Sequence, residues 1–202
     1  MGASVIRFPA ERARPAGARF NLPCRRGERQ LPLDFSGARE PCSVARLRPP
    51  NAAAHALALY VEAAQLDEDP ATFERAAKLY EQAIAFDPTL AAAEINLGSL
   101  LFRRGEREAA ERLYRHAIHL QPHNPEGHYN LGYALLERGD TTGALTHFEI
   151  AVSQDPGFSD AHFNLAMTLE QLGERRRARS AWKRYLELEP DGPWSSVARG
   201  HL

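Results

Sequence analysis

Eight histidines and two cysteines are the residues of this 202-residue chain that could hold a metal ion or act as base or nucleophile. His116, His119 and His123 lie close together, but no glutamate accompanies a histidine at the spacing of a zinc protease. No second cysteine or histidine pair completes a zinc-binding spacing around Cys24 or Cys42. No Gly-rich phosphate loop and no nucleophile motif is present in the sequence. We therefore expect no enzyme activity, no metal, no cofactor and no small-molecule substrate.

Arginine side chains offer a second kind of chemistry, and they are unevenly placed along the chain. Residues 1–50 carry ten arginines against four acids, whereas residues 51–202 carry fifteen basic residues against twenty-two acids. The net charge of −1 therefore hides a basic segment and an acidic body. Guanidinium groups bind phosphates and carboxylates. Nucleic acid, an acidic partner, the acidic body of the same chain, or no partner at all are alternatives for this segment.

The same segment is also unlike a folded domain. It holds seven of the fourteen prolines and no apolar run long enough for a helix or a membrane span. We expect residues 1–50 to be a disordered or extended basic tail. The tail lacks the apolar core of a secretory signal peptide, which predicts a cytoplasmic location with both cysteines reduced.

The part of the chain that follows this tail consists of a repeated sequence pattern. Pro88, Pro122, Pro156 and Pro190 stand 34 residues apart, and each closes a segment of the same pattern. Within each segment apolar residues recur at helical spacing in two short runs, which predicts two amphipathic helices per copy. We expect an all-α solenoid of about four helical hairpins over residues 51–192, with repeats at about 57–90, 91–124, 125–158 and 159–192. Residues 193–202 are predicted to form a capping helix, with Trp194 covering the last repeat.

Small residues mark where the helices of a pair must approach and turn. Gly98, Gly132 and Ala166 recur 34 residues apart on the first helix, where a bulky side chain would force the pair apart. Gly105, Gly139 and Gly173 are predicted to end the first helix in a left-handed conformation. In the first copy, residues 67–72 replace this turn with a Pro-containing one of different geometry, and we expect the length of the repeat to be unchanged.

These markers resemble the tetratricopeptide repeat. Leu97-Gly98, Ala110, Tyr114, Ala117 and Pro122 of the second copy match its signature, as do their equivalents in the third copy. The resemblance covers about residues 57 to 190 and implies a protein-binding scaffold. A weaker resemblance concerns residues 29–35, which are similar to the linker of bacterial regulators that join a MerR-type winged helix to such repeats.

The resemblance implies a concave face lined by the first helix of each pair. It places Asn96, Asn130 and Asn164 on that face as a ladder of amides, which can hydrogen-bond the backbone of an extended peptide. Helical geometry brings further groove residues onto the same face: Ile95, Phe102, Arg103, Tyr129, Tyr133, Phe163 and Met167. A structural role for the asparagines alone is the alternative. The chaperone-binding clamp of related proteins is not expected, because its basic residues would coincide with Tyr129 and Tyr133.

Two functions remain open at this point. The first is a scaffold that binds a protein or peptide segment in the groove, without nucleic acid or membrane. The second is an accessory module of a transcription-related system, whose basic tail contacts nucleic acid. The first helix, predicted over residues 52–66, is apolar and Ala-rich. Its outer side is expected to be covered by the tail or by a second copy of the chain.

Overall fold

The structure is a computed structural model that describes residues 51–202. In this part the chain is helical throughout and contains no strand. One 3₁₀ turn, Pro70–Thr72, interrupts the series of α-helices, whose bounds are α1 Ala52–Ala64, α2 Phe73–Phe86, α3 Ala91–Arg103, α4 Arg107–Leu120, α5 Pro125–Arg138, α6 Thr141–Gln154, α7 Ser159–Gln171, α8 Arg175–Leu188 and α9 Ser195–Gly200.

The helices pair in sequence order. Helices α1 and α2, α3 and α4, α5 and α6, and α7 and α8 form hairpins, and the second helix of each hairpin packs on the first helix of the next. The predicted all-α solenoid of four hairpins with a C-terminal capping helix is therefore confirmed. The first helices of neighbouring hairpins also contact one another, α3 with α5 and α5 with α7, more than the second helices do. The first helices thus lie on the concave side, and we call their exposed surface the inner face.

Hairpins two to four each close around one aromatic ring. A Cβ atom built on Gly98 would lie 2.6 Å from Cε1 of Tyr114, and one on Gly132 would lie 2.9 Å from Cε1 of Phe148. In the fourth hairpin Ala166 and Trp182 are both fully buried at the equivalent positions. The ring fills the place of the missing side chain, so the spacing between the two helices is set by the small residue.

The turns within hairpins two to four follow the sequence prediction. Gly105, Gly139 and Gly173 have φ angles of 85°, 91° and 78°, in the left-handed region that a residue with a Cβ rarely adopts. Asp140 then begins α6, because its carboxylate accepts a hydrogen bond from the backbone N–H of Gly143 at 2.9 Å. These turns leave three residues between the helices of hairpins two and four and two residues in hairpin three.

The first hairpin departs from this plan in its first helix, whereas the length of the repeat is unchanged, because α2 begins and ends 34 residues before α4. Helix α1 begins and ends five residues before the positions that the 34-residue register gives, so residues 65–72 connect it to α2. Asp69 precedes Pro70 and is extended, with φ −92° and ψ 119°. A residue before proline is disfavoured in the helical region, which stops any continuation of α1. The Asp69 carboxylate instead accepts from the backbone N–H of Ala71.

The two ends of the solenoid differ. At the C-terminal end Trp194 precedes α9, and its ring lies 5.9 Å from that of Phe163, so the last hairpin is covered as predicted. At the other end Leu57 and Val61 of α1 remain nearly half exposed. Self-association through this end stays a prediction. The expectation of a disordered tail concerns residues 1–50, which lie outside the described residues.

Replacing Gly132 with alanine tests the close approach. We expect Gly132→Ala to lower the free energy of unfolding by about 1–2 kcal/mol, because overpacking against Phe148 outweighs the gain in helix propensity of about 1 kcal/mol. Urea denaturation followed by circular dichroism measures the change. Gly200→Ala is the control, since its Cβ would meet nothing within 4 Å. Equal stabilisation by both substitutions would contradict the steric account.

Candidate functional site

The three ladder asparagines bind the preceding hairpin. The Asn96 amide nitrogen donates to the Tyr80 hydroxyl at 3.1 Å and lies 3.4 Å from that of Tyr60. The equivalent nitrogen of Asn130 donates to Ser99 Oγ at 3.5 Å, and that of Asn164 to the Tyr129 hydroxyl at 3.0 Å. Each asparagine thus meets a hydroxyl group of the hairpin before it. The ladder ties neighbouring hairpins together along the inner face.

Three predicted groove residues are buried. Ile95 is 2% exposed and packs with Ala91 and Ala117, on the side of α3 that meets the interior. Phe163 is 1% exposed, with its ring 5.0 Å from that of Trp182. Asn164 is 3% exposed. We correct the expectation that these side chains line an open groove, because each is covered by packing between or within hairpins.

An aromatic patch remains accessible at the centre of the inner face. The rings of Phe102 on α3 and Tyr133 on α5 meet edge to face with centroids 5.6 Å apart, and both side chains are half-buried. The Arg107 guanidinium lies 5.8 Å from the centre of the Phe102 ring and 3.3 Å from the Glu137 carboxylate. The patch therefore combines aromatic surface with one ion pair.

Tyr129 extends this patch toward the fourth hairpin. Its ring lies 4.8 Å from that of Phe158, and its hydroxyl accepts from Asn164. Burial, and next the Asp160 carboxylate, raise the pKa of Tyr129 above its usual range, so the phenol stays neutral. Met167 on α7 is half-buried and packs against the same core. The inner face is continuous from α3 to α7.

Two tyrosines that the sequence analysis missed adjoin the N-terminal part of the inner face: Tyr60 on α1, and Tyr80, which is fully buried on α2. The Tyr80 hydroxyl donates to Asp67 Oδ2 at 2.5 Å while it accepts from Asn96. Burial, and next the hydrogen bond to Asp67, raise the pKa of Tyr80. Tyr60 lies beside this pair on α1. The sequence signal for Tyr80 was its hydroxyl group, since the third copy has a phenylalanine at the equivalent position. Tyr60 was missed because α1 lies five residues before the position that the 34-residue register gives.

Arg103 belongs to the same region. Its guanidinium donates to the backbone carbonyl of Asp67 and lies 4.6 Å above the ring of Phe73. The side chain holds the long connection of the first hairpin against α3, while the residue stays exposed. Of the predicted groove residues, Asn96, Asn130, Phe102, Tyr129, Tyr133 and Met167 are partly accessible and Arg103 is exposed.

The histidines of hairpins three and four have structural partners. His128 is 5% exposed, and its Nε2 donates to the carbonyl of Pro122 at 3.0 Å. Its Nδ1 therefore accepts from Nδ1 of His147 at 2.9 Å when both rings are neutral. Burial, and next the charges of His128 and Arg115, lower the pKa of His147, against a smaller opposing effect of Asp140. The pair packs two hairpin helices together and faces away from the inner face.

Other features of residues 51–202 add no second site. Groups of three histidine, cysteine, aspartate or glutamate side chains placed to hold a metal ion are absent from this part. None of its helices is long and apolar enough to cross a membrane. Two shallow depressions occupy equivalent positions beside Leu97 in the second hairpin and beside Leu165 in the fourth. Both lie between the helices of one hairpin and do not coincide with the aromatic patch.

The geometry defines an α-solenoid of helical hairpins whose inner face carries the accessible aromatic residues. Sequence profiles of the tetratricopeptide repeat match residues 71–125, 95–158 and 135–199. The chain belongs to the tetratricopeptide repeat family, whose members are in general non-enzymatic protein-binding scaffolds. The similarity of residues 29–35 to MerR-type regulators gains no support from these matches, which begin at residue 71.

Solved structures show the same fold. YrrB, described as a tetratricopeptide protein with an unusual peptide-binding site, is 24% identical, with 67% of this chain and 69% of YrrB covered and a TM-score of 0.58. PilF of Pseudomonas aeruginosa is 20% identical over 73% of this chain and 67% of its own, with a TM-score of 0.67. MamA is 21% identical over 59% and 70%, with a TM-score of 0.54. No curated protein matches the chain significantly.

The burial of the ladder predicts unequal effects of removing its amides. We expect Asn164→Ala to lower the free energy of unfolding by about 1–3 kcal/mol, because a buried Tyr129 hydroxyl and the carbonyl of Asp160 lose their donor. Asn130→Ala should cost less than about 1 kcal/mol, since its contact is 3.5 Å long and half exposed. Urea denaturation of both variants checks this order. Equal losses would show that burial does not distinguish them.

The histidine pair predicts a pH dependence of stability. Folded His147 binds a proton less tightly than the unfolded chain, whose histidines titrate near 6.5, so protonation favours unfolding. We expect the free energy of unfolding to fall between pH 7.5 and pH 5.5, and His147→Gln to reduce that fall. His119→Gln, an exposed site, is the control. An unchanged pH dependence in His147→Gln would exclude His147 as a source.

Proposed function

We propose that this protein is a scaffold that binds an extended peptide or protein segment on its inner face. The observation that carries the proposal is the half-buried aromatic patch of Phe102, Tyr133 and Tyr129, which lies on two neighbouring first helices, α3 and α5. Rigid aromatic rings give large contact area at low entropic cost, and they are enriched among residues that dominate binding energy. YrrB, which shares the fold, is described as having an unusual peptide-binding site, and this supports a peptide as the class of ligand.

The asparagines have a narrower part in this proposal than the sequence analysis gave them. Asn164 is buried and positions Tyr129 by hydrogen bonding, so its contribution to binding is indirect. Asn96 and Asn130 are half exposed beside the patch and can present amide groups to a peptide backbone. Arg103 and Met167 flank the surface at its two ends. Binding would combine aromatic anchoring with a few amide hydrogen bonds.

Selection from a library of random linear 12-residue peptides tests the function. The full chain is immobilised, selected peptides are synthesised, and their affinity is measured by fluorescence anisotropy. We expect a Tyr133→Ala, Asn130→Ala double variant to lose about tenfold or more in affinity, equivalent to about 1.4 kcal/mol. Circular dichroism first establishes that its helix content is unchanged.

A matched variant on the outer helices provides the control. Gln154→Ala with Lys183→Ala removes two exposed side chains of similar size from α6 and α8. Selected peptides should bind this variant as they bind the native chain. Peptides that keep their affinity for the Tyr133→Ala, Asn130→Ala variant, or a selection that enriches none, would overturn the assignment of the inner face.

A further inference from the structure

Charge is segregated between the inner and outer helices. The first helices, α1, α3, α5 and α7, carry six carboxylates against two arginines. The second helices, α2, α4, α6 and α8, carry six carboxylates against eleven lysines and arginines. The overall charge of −1 gives no sign of this division. The first helices are thus acidic and the second helices basic, and of the six first-helix carboxylates Glu62, Glu94 and Glu170 pair with Arg75, His116 and His201.

Several carboxylates adjoin the aromatic side chains of the inner face. Glu126 and Asp160 each lie four residues before an asparagine of the ladder, Asn130 or Asn164, and therefore on the same side of α5 and α7. Burial, and next the Glu126 carboxylate, raise the pKa of Tyr60. Asp160 acts on Tyr129 in the same way, and Glu137 lies beside Phe102 through its ion pair with Arg107. Acidic groups therefore lie along the aromatic surface in successive hairpins. A ligand that stacks on these rings meets negative charge at the same time.

Two guanidinium groups of the described residues already lie over aromatic rings at the edge of this face. Arg107 lies over Phe102 at 5.8 Å and Arg103 over Phe73 at 4.6 Å. A planar guanidinium can stack on an aromatic ring while it donates to a carboxylate, which a lysine ammonium does less well. The combination of rings and carboxylates suits an extended segment that presents arginines.

The chain itself supplies such a segment. Residues 1–50 contain ten arginines against four acids, and they join directly to α1, whose first residue is Ala52. The four first helices span on the order of 30 Å at the usual spacing of packed helices, which about ten extended residues cover. Fifty residues are therefore long enough to reach any part of the inner face. Attachment to the same chain raises their effective concentration to the millimolar range.

We propose that the inner face binds residues 1–50 of its own chain, with arginines placed on the aromatic rings and beside Glu126 and Asp160. The inference rests on the proposed function, since the segment and an external peptide would compete for one surface. The apolar side of α1 is a less suitable binding surface for this arginine-rich segment, because the one acid of α1, Glu62, already pairs with Arg75. The outer face is basic, and the exposed Arg176 and Arg179 of α8 would repel the segment.

The two native cysteines allow a test on the intact chain. Cys24 and Cys42 are the only cysteines and both lie in residues 1–50, so a benzophenone maleimide labels this segment without any substitution. After photolysis, mass spectrometry locates the cross-linked residues, and a mixture of isotope-labelled and unlabelled chains separates links within a chain from links between chains. We expect links within one chain, concentrated on α3, α5 and α7. Links concentrated on the outer helices or on the apolar side of α1, links only between chains, or no preferred location would overturn the proposal.

Charge reversal supplies the matched control. Glu126→Arg with Asp160→Arg should lower the yield of inner-face links about fivefold, and raising the salt concentration should lower the native yield as well. Glu81→Arg with Glu108→Arg makes the same change of charge at exposed positions of outer helices and should leave the yield unchanged. Like Glu126 and Asp160, Glu108 lies in the first turn of its helix, so the effect of charge at a helix N-terminus is matched at that position, whereas Glu81 lies within α2. An equal loss in both variants would contradict a local contact.

Failure of this inference is distinguishable from failure of the proposed function. If selected peptides depend on Tyr133 but the cross-links show no preference for the inner face, the surface binds external partners and residues 1–50 do not occupy it. If the selected peptides depend on Tyr133 and the cross-links lie on the inner face, residues 1–50 compete with the peptides. Replacing the arginines of residues 1–50 with glutamine should then increase the affinity of the selected peptides about fivefold or more, because a competitor is removed. An unchanged affinity would show that the segment does not compete for the inner face.

Discussion

The contact between a small residue on one helix and an aromatic ring on its partner determines the geometry of the solenoid. Gly98 accepts Tyr114, Gly132 accepts Phe148, and in the fourth hairpin both Ala166 and Trp182 are fully buried. With the ring inside the hairpin, the two helices approach closely and bury the remaining apolar side chains. The same contact fixes which side of the first helix stays outside the core. Because one side of the first helix packs against the ring, its opposite side remains outside the core and forms the inner face.

Neighbouring hairpins are joined by polar contacts on that face. The hydroxyls of Tyr80, Ser99 and Tyr129 meet asparagine amides of the following hairpin, so the position of one first helix depends on the one before it. These contacts serve a structural purpose, and they also hold the aromatic side chains in place. A surface that is assembled in this way is rigid before a ligand arrives. Pre-organisation of that kind reduces the entropy lost on binding.

The 34-residue periodicity predicted the fold and much of the inner face, but it did not predict which side chains are exposed. The 34-residue spacing located the helices of hairpins two to four, the three left-handed glycines and the cap at Trp194. It could not show that α1 ends early, because the extended residue before Pro70 acts through local backbone sterics. It also placed Phe163 and Ile95 on a groove, since helical spacing gives direction but not the packing partner. Tyr60 lay outside the register and therefore outside the prediction.

The division of charge between the two sides of the solenoid has a consequence for the kinetics of encounter. With a net charge of −1, the molecule neither attracts nor repels a distant partner strongly. Carboxylates on the first helices and cations on the second give it a transverse electric dipole. Within about one Debye length, roughly 10 Å at moderate salt, this dipole rotates an approaching charged molecule before the surfaces touch. A cationic segment is thus turned toward the concave side and an anionic one toward the convex side.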